Sequence, residues 1–410
     1  MPRPPDSGSL VELEINDIAH GGEGVGRVDG KAHFVSGVIP GEKVIGQVVK
    51  DGGSWARAEL VEVRAPSPDR INPLCPHATL CGGCQWQHAT YEAQLAWKHN
   101  TVVSQLQHIG KIAEPPVMDV VAPGPPFGYR NRMDFKVAGG RPAMHRARSH
   151  EMVPLGVCEL LDPKLAAVFG RLDNLDGVSQ FVLRTGSNTG DTLMIVNGEI
   201  PEHAGDWGVP LAQQEGKTVT GIAGPARVTE EIDGTRFRIT GNAFFQNNSH
   251  GAAALVELVR NALEPEPTDT VLDAYAGVGL FGASLAADVG RVIAVESNRI
   301  AAADLQRNLK AAGVDHRVIR GKMESVAAHL DEYAELAVAD PPRTGLGESG
   351  IAAVTATSPR RLAYVSCDPA SLARDAGLLA GHGYQLTAVT PVDMFPQTFH
   401  IEAVATFVLA

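Results

Sequence analysis

The stretch VLDAYAGVGLFG, Val271 to Gly282, decides how the second half of this chain folds. It opens as a short apolar strand with Asp273 near its end, passes through Gly277 and Gly279 in a turn, and resumes as a helix. Glycines at such a turn let the backbone come close to a ligand, and ligands bind at the carboxyl ends of strands in open parallel sheets. A glycine pair alone is weak evidence. Here the next strand, RVIAVES, ends in Glu296, an acidic residue suited to bridging the two hydroxyls of a ribose. Gly282 stands where the dinucleotide fingerprint has its third glycine, so the spacing leaves NAD open, as it leaves open a purely structural turn.

The surrounding pattern is regular. A helix, HGAAALVELVRNAL, precedes the strands TVLDAYA, RVIAVES, RVIRG, ELAVADP and RLAYVSC, with helical segments between them. Near-continuous apolar strands alternating with helices indicate a parallel sheet covered on both faces. The last two strands, YQLTAVTPVDMF and IEAVATFVLA, have no helix between them and should pair as an antiparallel hairpin at the sheet edge. This α/β, Rossmann-like layout is that of a class I methyltransferase. The fourth strand exits through Ala339-Asp340-Pro341-Pro342, and an acidic residue followed by two prolines is carried at this place by many enzymes that methylate nucleobases. The prolines stiffen the loop, and Asp340 is placed to hydrogen-bond a base edge or the cofactor. That feature favours S-adenosylmethionine over NAD.

Toward the N-terminus the texture is different. VELEIND, GVGRV, KAHFVSG, EKVIGQVV and ARAELVEV read as five short strands joined by glycine-rich turns, which suggests a small closed barrel of the OB type. The Pro-rich segment APSPDRINP, 65–73, marks a boundary, and a helix is expected from about Tyr91 to His108, stopped by Gly110. Between 128 and 240, strand-like runs (MDFKVAG, FVLRTG, TLMIVNG, TRFRITG) alternate with turns, as in a second, mostly β region. The expected division is therefore 1–66, 67–240 and 241–410.

At 410 residues the chain is long enough for two or three domains. No apolar run approaches the roughly 18 residues of a membrane span. The opening MPRPPDSGSL lacks the apolar core of a secretion signal and reads as a short disordered lead-in, so a cytoplasmic protein with reduced thiols is expected. The net charge of −12 argues mildly against nucleic-acid binding, but a global sum hides local fields. Between Tyr129 and His150 lie Arg130, Arg132, Lys136, Arg141, Arg146 and Arg148 against Asp134 alone. That run is either a solvated basic loop or a surface that follows a phosphate backbone.

A second stretch, VSCDPASLARD, places Cys367 at a strand exit just before a helix. Methyl transfer to nitrogen or oxygen needs no enzyme nucleophile, but C5 of uracil is too electron-poor to attack a sulfonium methyl. A thiolate added at C6 makes C5 nucleophilic, and a base must then remove the C5 proton so that the cysteine is expelled. A helix N-terminus favours the thiolate form of Cys367. Glu402, at the start of the final strand, reaches the same end of the sheet if the hairpin pairs normally. A buried structural cysteine and a solvated strand glutamate are the alternatives for each taken singly.

Together, YRNRMDFKV, FFQNN, DAYAGVGLFG, DPPRTGL, SCDPASLARD and MFPQTFHIE, with the barrel at 10–64, resemble the RNA uracil-5-methyltransferase family that carries an N-terminal TRAM domain. The resemblance spans nearly the whole chain. It implies 5-methyluridine formation in ribosomal or transfer RNA, with structured RNA as partner and S-adenosylmethionine as cofactor. It also implies Cys367 as nucleophile and Glu402 as base. Gln246, Tyr275, Gly277, Gly279, Glu296 and Asp340 would lie around cofactor and target base.

Cys75, Cys81, Cys84 and the distant Cys158 form a further set of four soft ligands, able to hold zinc or a [4Fe–4S] cluster, or to remain free thiols. CGGCQWQH resembles the cluster-bearing branch of the same family, which implies iron–sulfur, with zinc as the alternative. Two other functions stay open: an exocyclic-amine or glutamine methyltransferase, and an RNA-binding iron–sulfur protein with an inactive methyltransferase fold. Arg343 after the two prolines speaks against the first, since an aromatic residue usually stands there.

Overall fold

The computed structural model describes residues 8–326, 330 and 332–410, so residues 1–7 of the expected lead-in lie outside the described residues. The chain divides into two units. One comprises Met1–Thr101, His145–Val153 and Phe395–Phe399; the other comprises Val102–Met144, Pro154–Met394 and His400–Ala410.

In the first unit, β1 (Leu10–Ile18), β2 (Gly24–Val28), β3 (Lys31–Val35), β4 (Lys43–Asp51) and β5 (Trp55–Ala65) close into a barrel in the order β1-β2-β3-β5-β4. Successive strand side chains point to opposite faces, so Leu13, Ile15, Val35, Val44 and Ala58 fill the interior. A Cβ at Gly26 would lie 2.7 Å from the Glu14 carbonyl oxygen, which is why β1 and β2 can approach there only with glycine. The segment after the barrel is anchored by Trp86, fully buried, whose indole N–H donates to the Gly22 carbonyl at 3.0 Å. An Arg70–Glu42 ion pair, with the Glu42 carboxylate buried, adds a second tie. α1 (Tyr91–His108) has the expected limits.

The second unit begins with mixed structure. β6 (Arg132–Ala138), β7 (Arg141–His145), β8 (Met152–Pro154), α2 (Pro163–Phe169), β9 (Val178–Thr185), β10 (Thr192–Gly198), β11 (Leu211–Glu215) and β12 (Thr218–Ala223) follow, His145 of β7 and Met152 and Val153 of β8 being counted with the first unit, and the strands form a sheet in the order β12-β11-β10-β9-β6-β7-β8. β13 (Arg227–Ile232) and β14 (Thr235–Thr240) form a separate hairpin. The mostly β character was legible, but β7, β8 and β11 to β13 were not. β12 shows the reason: TVTGIA is almost wholly exposed, so no alternation of apolar residues marks it.

The rest is the doubly wound layer. α3 (Ser249–Leu263), β15 (Thr270–Ala274), α4 (Leu280–Ser284), β16 (Arg291–Glu296), α5 (Arg299–Ala312), β17 (Asp315–Arg320), α6 (Met323–Val326), β18 (Leu336–Ala339), α7 (Gly347–Thr355), β19 (Arg361–Ser366), α8 (Pro369–Gly381), β20 (Tyr384–Val392) and β21 (Glu402–Leu409) follow in turn. Their strands lie in the order β17-β16-β15-β18-β19-β21-β20. β15 to β19 are mutually parallel, and β21 runs antiparallel to both of its neighbours. The expected hairpin is there, with its second strand on the inside. Leu272, Ile293, Ala337, Leu362, Tyr364 and Phe407 are among the side chains of its core. No described helix is long and apolar enough to cross a membrane.

Candidate active site

Sheet topology gathers the site. β15, β16, β18 and β19 all end on one edge, and antiparallel β21 begins there. Tyr275, Glu296, Asp340, Cys367 and Glu402, which either follow or occupy those strand ends, therefore come to a common edge from distant parts of the sequence.

The glycine turn forms the first part. Asp273 is buried, and its carboxylate accepts the Gly282 N–H at 2.8 Å, tying strand to helix. Burial pushes Asp273 up to about 7; the Gly282 bond opposes this, and the charges of Asp340 and Glu296 add to it. Gly277 has φ +57 and donates its N–H to Glu296 Oε2 at 2.8 Å. The other Glu296 oxygen accepts the Asn298 N–H. A Cβ on Gly277 would meet nothing within 4 Å, so this backbone borders open space. Gly279, φ +95, caps α4, and a Cβ there would lie 2.6 Å from Leu305. Tyr275 holds the left-handed conformation, φ 64, and its hydroxyl donates to Glu324 at 2.8 Å. An open glycine turn beside a half-buried carboxylate at a strand end fits a nucleoside-bearing cofactor.

The second part is a set of carboxylates around a thiol. Gln246, buried, donates from Nε2 to Asp340 Oδ2 at 3.3 Å, and Asn131 Nδ2 holds the Gln246 carbonyl at 3.1 Å. Burial pushes Asp340 up to about 7. Glu402 is buried and raised well above the ordinary carboxylate range, by burial first and then by the Asp340 charge, with Arg343 opposing. Ser366 pairs with Ala403 across β19 and β21, which sets half-buried Cys367 beside Glu402.

One expectation is corrected here. Cys367 does not rest as a helix-stabilised thiolate: burial, Glu402 and Asp340 push its thiol up to about 12, against the pull of Arg343. The N-terminus of α8 is already served by Asp368, whose carboxylate accepts the Ser371 N–H at 2.7 Å. Two nearby carboxylates outweigh what remains of a capped helix dipole.

Among the described residues no three or more His, Cys, Asp or Glu side chains are grouped so as to hold a metal ion. Cys75, Cys81 and Cys84 belong to the first unit and Cys158 to the second. None of these thiols is in a disulfide. Cys81 Sγ accepts the Gly83 N–H at 3.4 Å. Burial raises the Cys81 thiol, the Gly83 N–H opposes this, and Cys75 adds to the rise.

The basic run 129–150 is also divided. Arg146 pairs with Glu151 at 3.1 Å and Arg148 with Glu23 at 2.8 Å in the first unit, whereas Arg130, Arg132, Lys136 and Arg141 lie in the second. Arg343 was read only as a departure from an aromatic position. Its electrostatic reach to both Cys367 and Glu402 went unnoticed, although its place directly after Asp340-Pro341-Pro342 was the available signal.

Comparison with known proteins adds the following. Residues 228–408 match the family model described as tRNA (Uracil-5-)-methyltransferase, and residues 6–61 match the TRAM domain. An uncharacterized RNA methyltransferase of Gloeobacter violaceus is 35% identical, over 97% of this chain and 96% of the relative. Another, from Streptomyces avermitilis, is 33% identical over 97% and 98%. The crystal structure of Pyrococcus abyssi tRNA (uracil-54, C5)-methyltransferase in complex with S-adenosyl-L-homocysteine superposes with a TM-score of 0.79 at 25% identity, covering 97% of this chain and 99% of that one.

Proposed function

The chain belongs to the TRAM-domain RNA (uracil-5-)-methyltransferase family, and on that premise we propose that it methylates C5 of a uridine in transfer or ribosomal RNA through a covalent Cys367 adduct. The observation that carries the proposal is the meeting of Cys367, Asp340 and Glu402 at one sheet edge beside the glycine turn. Charge-bearing groups drawn from separate strands are what uracil C5 chemistry requires, and methyl transfer to an amine would need no thiol.

S-adenosylmethionine, when bound, supplies an electrophilic methyl group. Gly277 and Gly279 would hold its adenosine end, and Glu296, which here accepts the Gly277 and Asn298 N–H groups, would supply the acceptor for the ribose hydroxyls. Tyr275, fixed through Glu324, borders the same space.

The protein's residues perform the rest. The Cys367 thiol gives its proton to the Asp340–Glu402 pair, and its sulfur bonds C6 while the C5–C6 π electrons move toward O4. Arg343 offsets the negative charge near the sulfur. Asp340, held by Gln246, faces the uracil edge and stabilises the enolate by hydrogen bonding. C5 then takes the methyl group. Glu402 removes the C5 proton, the C5–C6 double bond re-forms, and the S–C6 bond breaks to return the thiolate, which recovers its proton from the neighbouring acid. Because the thiol proton must be stored while the C5 proton leaves, two carboxyl groups serve where one would not.

We assign RNA docking to the barrel (1–66), a supporting role to 67–240 and the chemistry to 241–410, in a cytoplasmic enzyme. The spacing of Cys75, Cys81, Cys84 and Cys158 supports a [4Fe–4S] cluster, with zinc as the alternative, placed outside the chemistry.

The test uses RNA from cells lacking this protein, the pure enzyme and methyl-labelled S-adenosylmethionine, with digestion to nucleosides. Label in 5-methyluridine is expected, and fragment mapping then names the RNA. Label confined to another nucleoside would overturn the thiol mechanism.

A further inference from the structure

The face of β6 that carries Arg132, Asp134 and Lys136 adjoins Arg184 on β9, which lies directly opposite Arg132 in the ladder. Arg184 is buried and donates to two carbonyls, Ala243 at 2.7 Å and Gly241 at 3.2 Å. No carboxylate is hydrogen-bonded to it among the described residues. Of the acidic residues that act on it, Asp134 comes first but is exposed and paired with Arg132, Asp304 accepts from Arg238 at 3.0 Å, and Glu230 accepts from Ser249 at 2.7 Å. Burial first, and then the Arg132 charge, pull Arg184 down to about 9. A guanidinium beside another in a poorly solvated setting is unfavourable unless an anion completes it.

Arg132 keeps a donor for that anion. Its side chain is 16% exposed, its Nε is buried without a hydrogen-bond partner, and its one carboxylate contact, to the exposed Asp134, is long at 3.3 Å. Its position relates it to the site. Arg130 bridges Asn248 in antiparallel fashion, and the Asn131 N–H donates to the Asn247 carbonyl at 3.0 Å. Asn131, the residue before Arg132, also donates from Nδ2 to the backbone carbonyl of Gln246 at 3.1 Å, so Arg132 follows directly on a residue tied to the one that holds Asp340.

We propose that Arg132, backed by Arg184, is the binding site for an RNA backbone phosphate next to the target nucleotide. This deepens the functional reading above and rests on it for the identity of the nucleotide, though not for the phosphate. A guanidinium fork matches phosphate oxygens in a bidentate manner that a lysine does not. A chain of net charge −12 thus meets a polyanion through a local positive site placed where the base must be presented.

The test measures binding of a fluorescein-labelled oligouridylate over a salt series, for the wild type, Arg132→Gln and Arg132→Lys, together with melting temperature and S-adenosylmethionine affinity. Each phosphate contact on a single strand contributes about 0.7 to the slope of log affinity against log salt. Arg132→Gln is expected to lower the slope by about that amount and to weaken binding at low salt roughly tenfold or more. Arg132→Lys should keep the slope and lose part of the affinity. Neither should change cofactor affinity, and Arg132→Gln should melt no lower than the wild type, because it relieves the repulsion with Arg184. An unchanged slope with unchanged binding overturns the site. So does a parallel loss of RNA binding, cofactor binding and melting temperature, which would mark Arg132 as a structural residue. If methyl label appears in a nucleoside other than 5-methyluridine, the uridine reading falls, while the salt slope still decides the phosphate site.

Discussion

Cys367 and Glu402 leave the sheet side by side, because Ser366 on β19 pairs with Ala403 on β21 and each chemical residue is one step further out. The thiol and the carboxylate therefore share a field. Glu402 raises the thiol's affinity for a proton, and the sulfur becomes a nucleophile only when that proton is taken away.

Cys367→Ala is expected to remove turnover entirely, since it deletes the thiol that adds to C6. Equilibrium binding of S-adenosylmethionine should stay within about twofold, because the glycine turn and Glu296 are untouched. Retention of more than a trace of activity in labelled-methyl assays would remove the covalent step.

Glu402→Gln keeps the shape of the buried side chain and loses the base. A methylated adduct should accumulate and survive denaturation as a protein–RNA band on a denaturing gel. If the variant turns over normally with no such band, the base is a different residue.

The carboxyl pair makes activity depend on pH in a defined sense. Asp340 is raised to about 7 and Glu402 well above its ordinary range, so lowering the pH fills the sites that must accept the thiol and C5 protons. The single-turnover rate should rise as pH increases through 7 and flatten above it. Asp340→Asn should lower the rate and displace that rise; an unshifted profile would dissociate Asp340 from it.

Stability should run the other way for Asp273. Its folded-state pKa, about 7, lies above the ordinary carboxylate value, so between the two the folded chain binds more protons than the unfolded one. The resulting stabilisation is fully present at low pH and is lost as pH rises through 7, at up to about 1.4 kcal/mol per pH unit. Melting curves of the wild type and Asp273→Asn should therefore converge in their pH dependence only outside that window.

Gly277→Ala tests the cofactor cradle. At φ +57 a Cβ costs roughly 1–2 kcal/mol, although space for the methyl is open, so strain rather than collision is the penalty. The strain should lower the melting temperature, and the methyl, projecting into the open space assigned to the cofactor, should lower cofactor affinity in titration calorimetry with oligouridylate binding unchanged. A larger loss of RNA binding than of cofactor binding would place this turn against the RNA.

The sequence by itself determined the parts that depend on local periodicity and on special residues. The five barrel strands, the limits of α1 and the alternation from β15 to β19 were legible because buried strands and amphipathic helices repeat at fixed intervals. Cys367, Asp340 and Glu402 were legible as chemical types out of place in a core. Strands such as β12, exposed along its length, carry no such pattern. Only the tertiary structure decided how those residues act on one another. The protonation of Cys367 depends on two carboxylates contributed by β21 and by the loop after β18, and the pairing of Arg132 with Arg184 on the register between β6 and β9. Burial and electrostatic fields are sums over neighbours in space, and a chain read in order does not contain that sum until the sheet has brought its strands together.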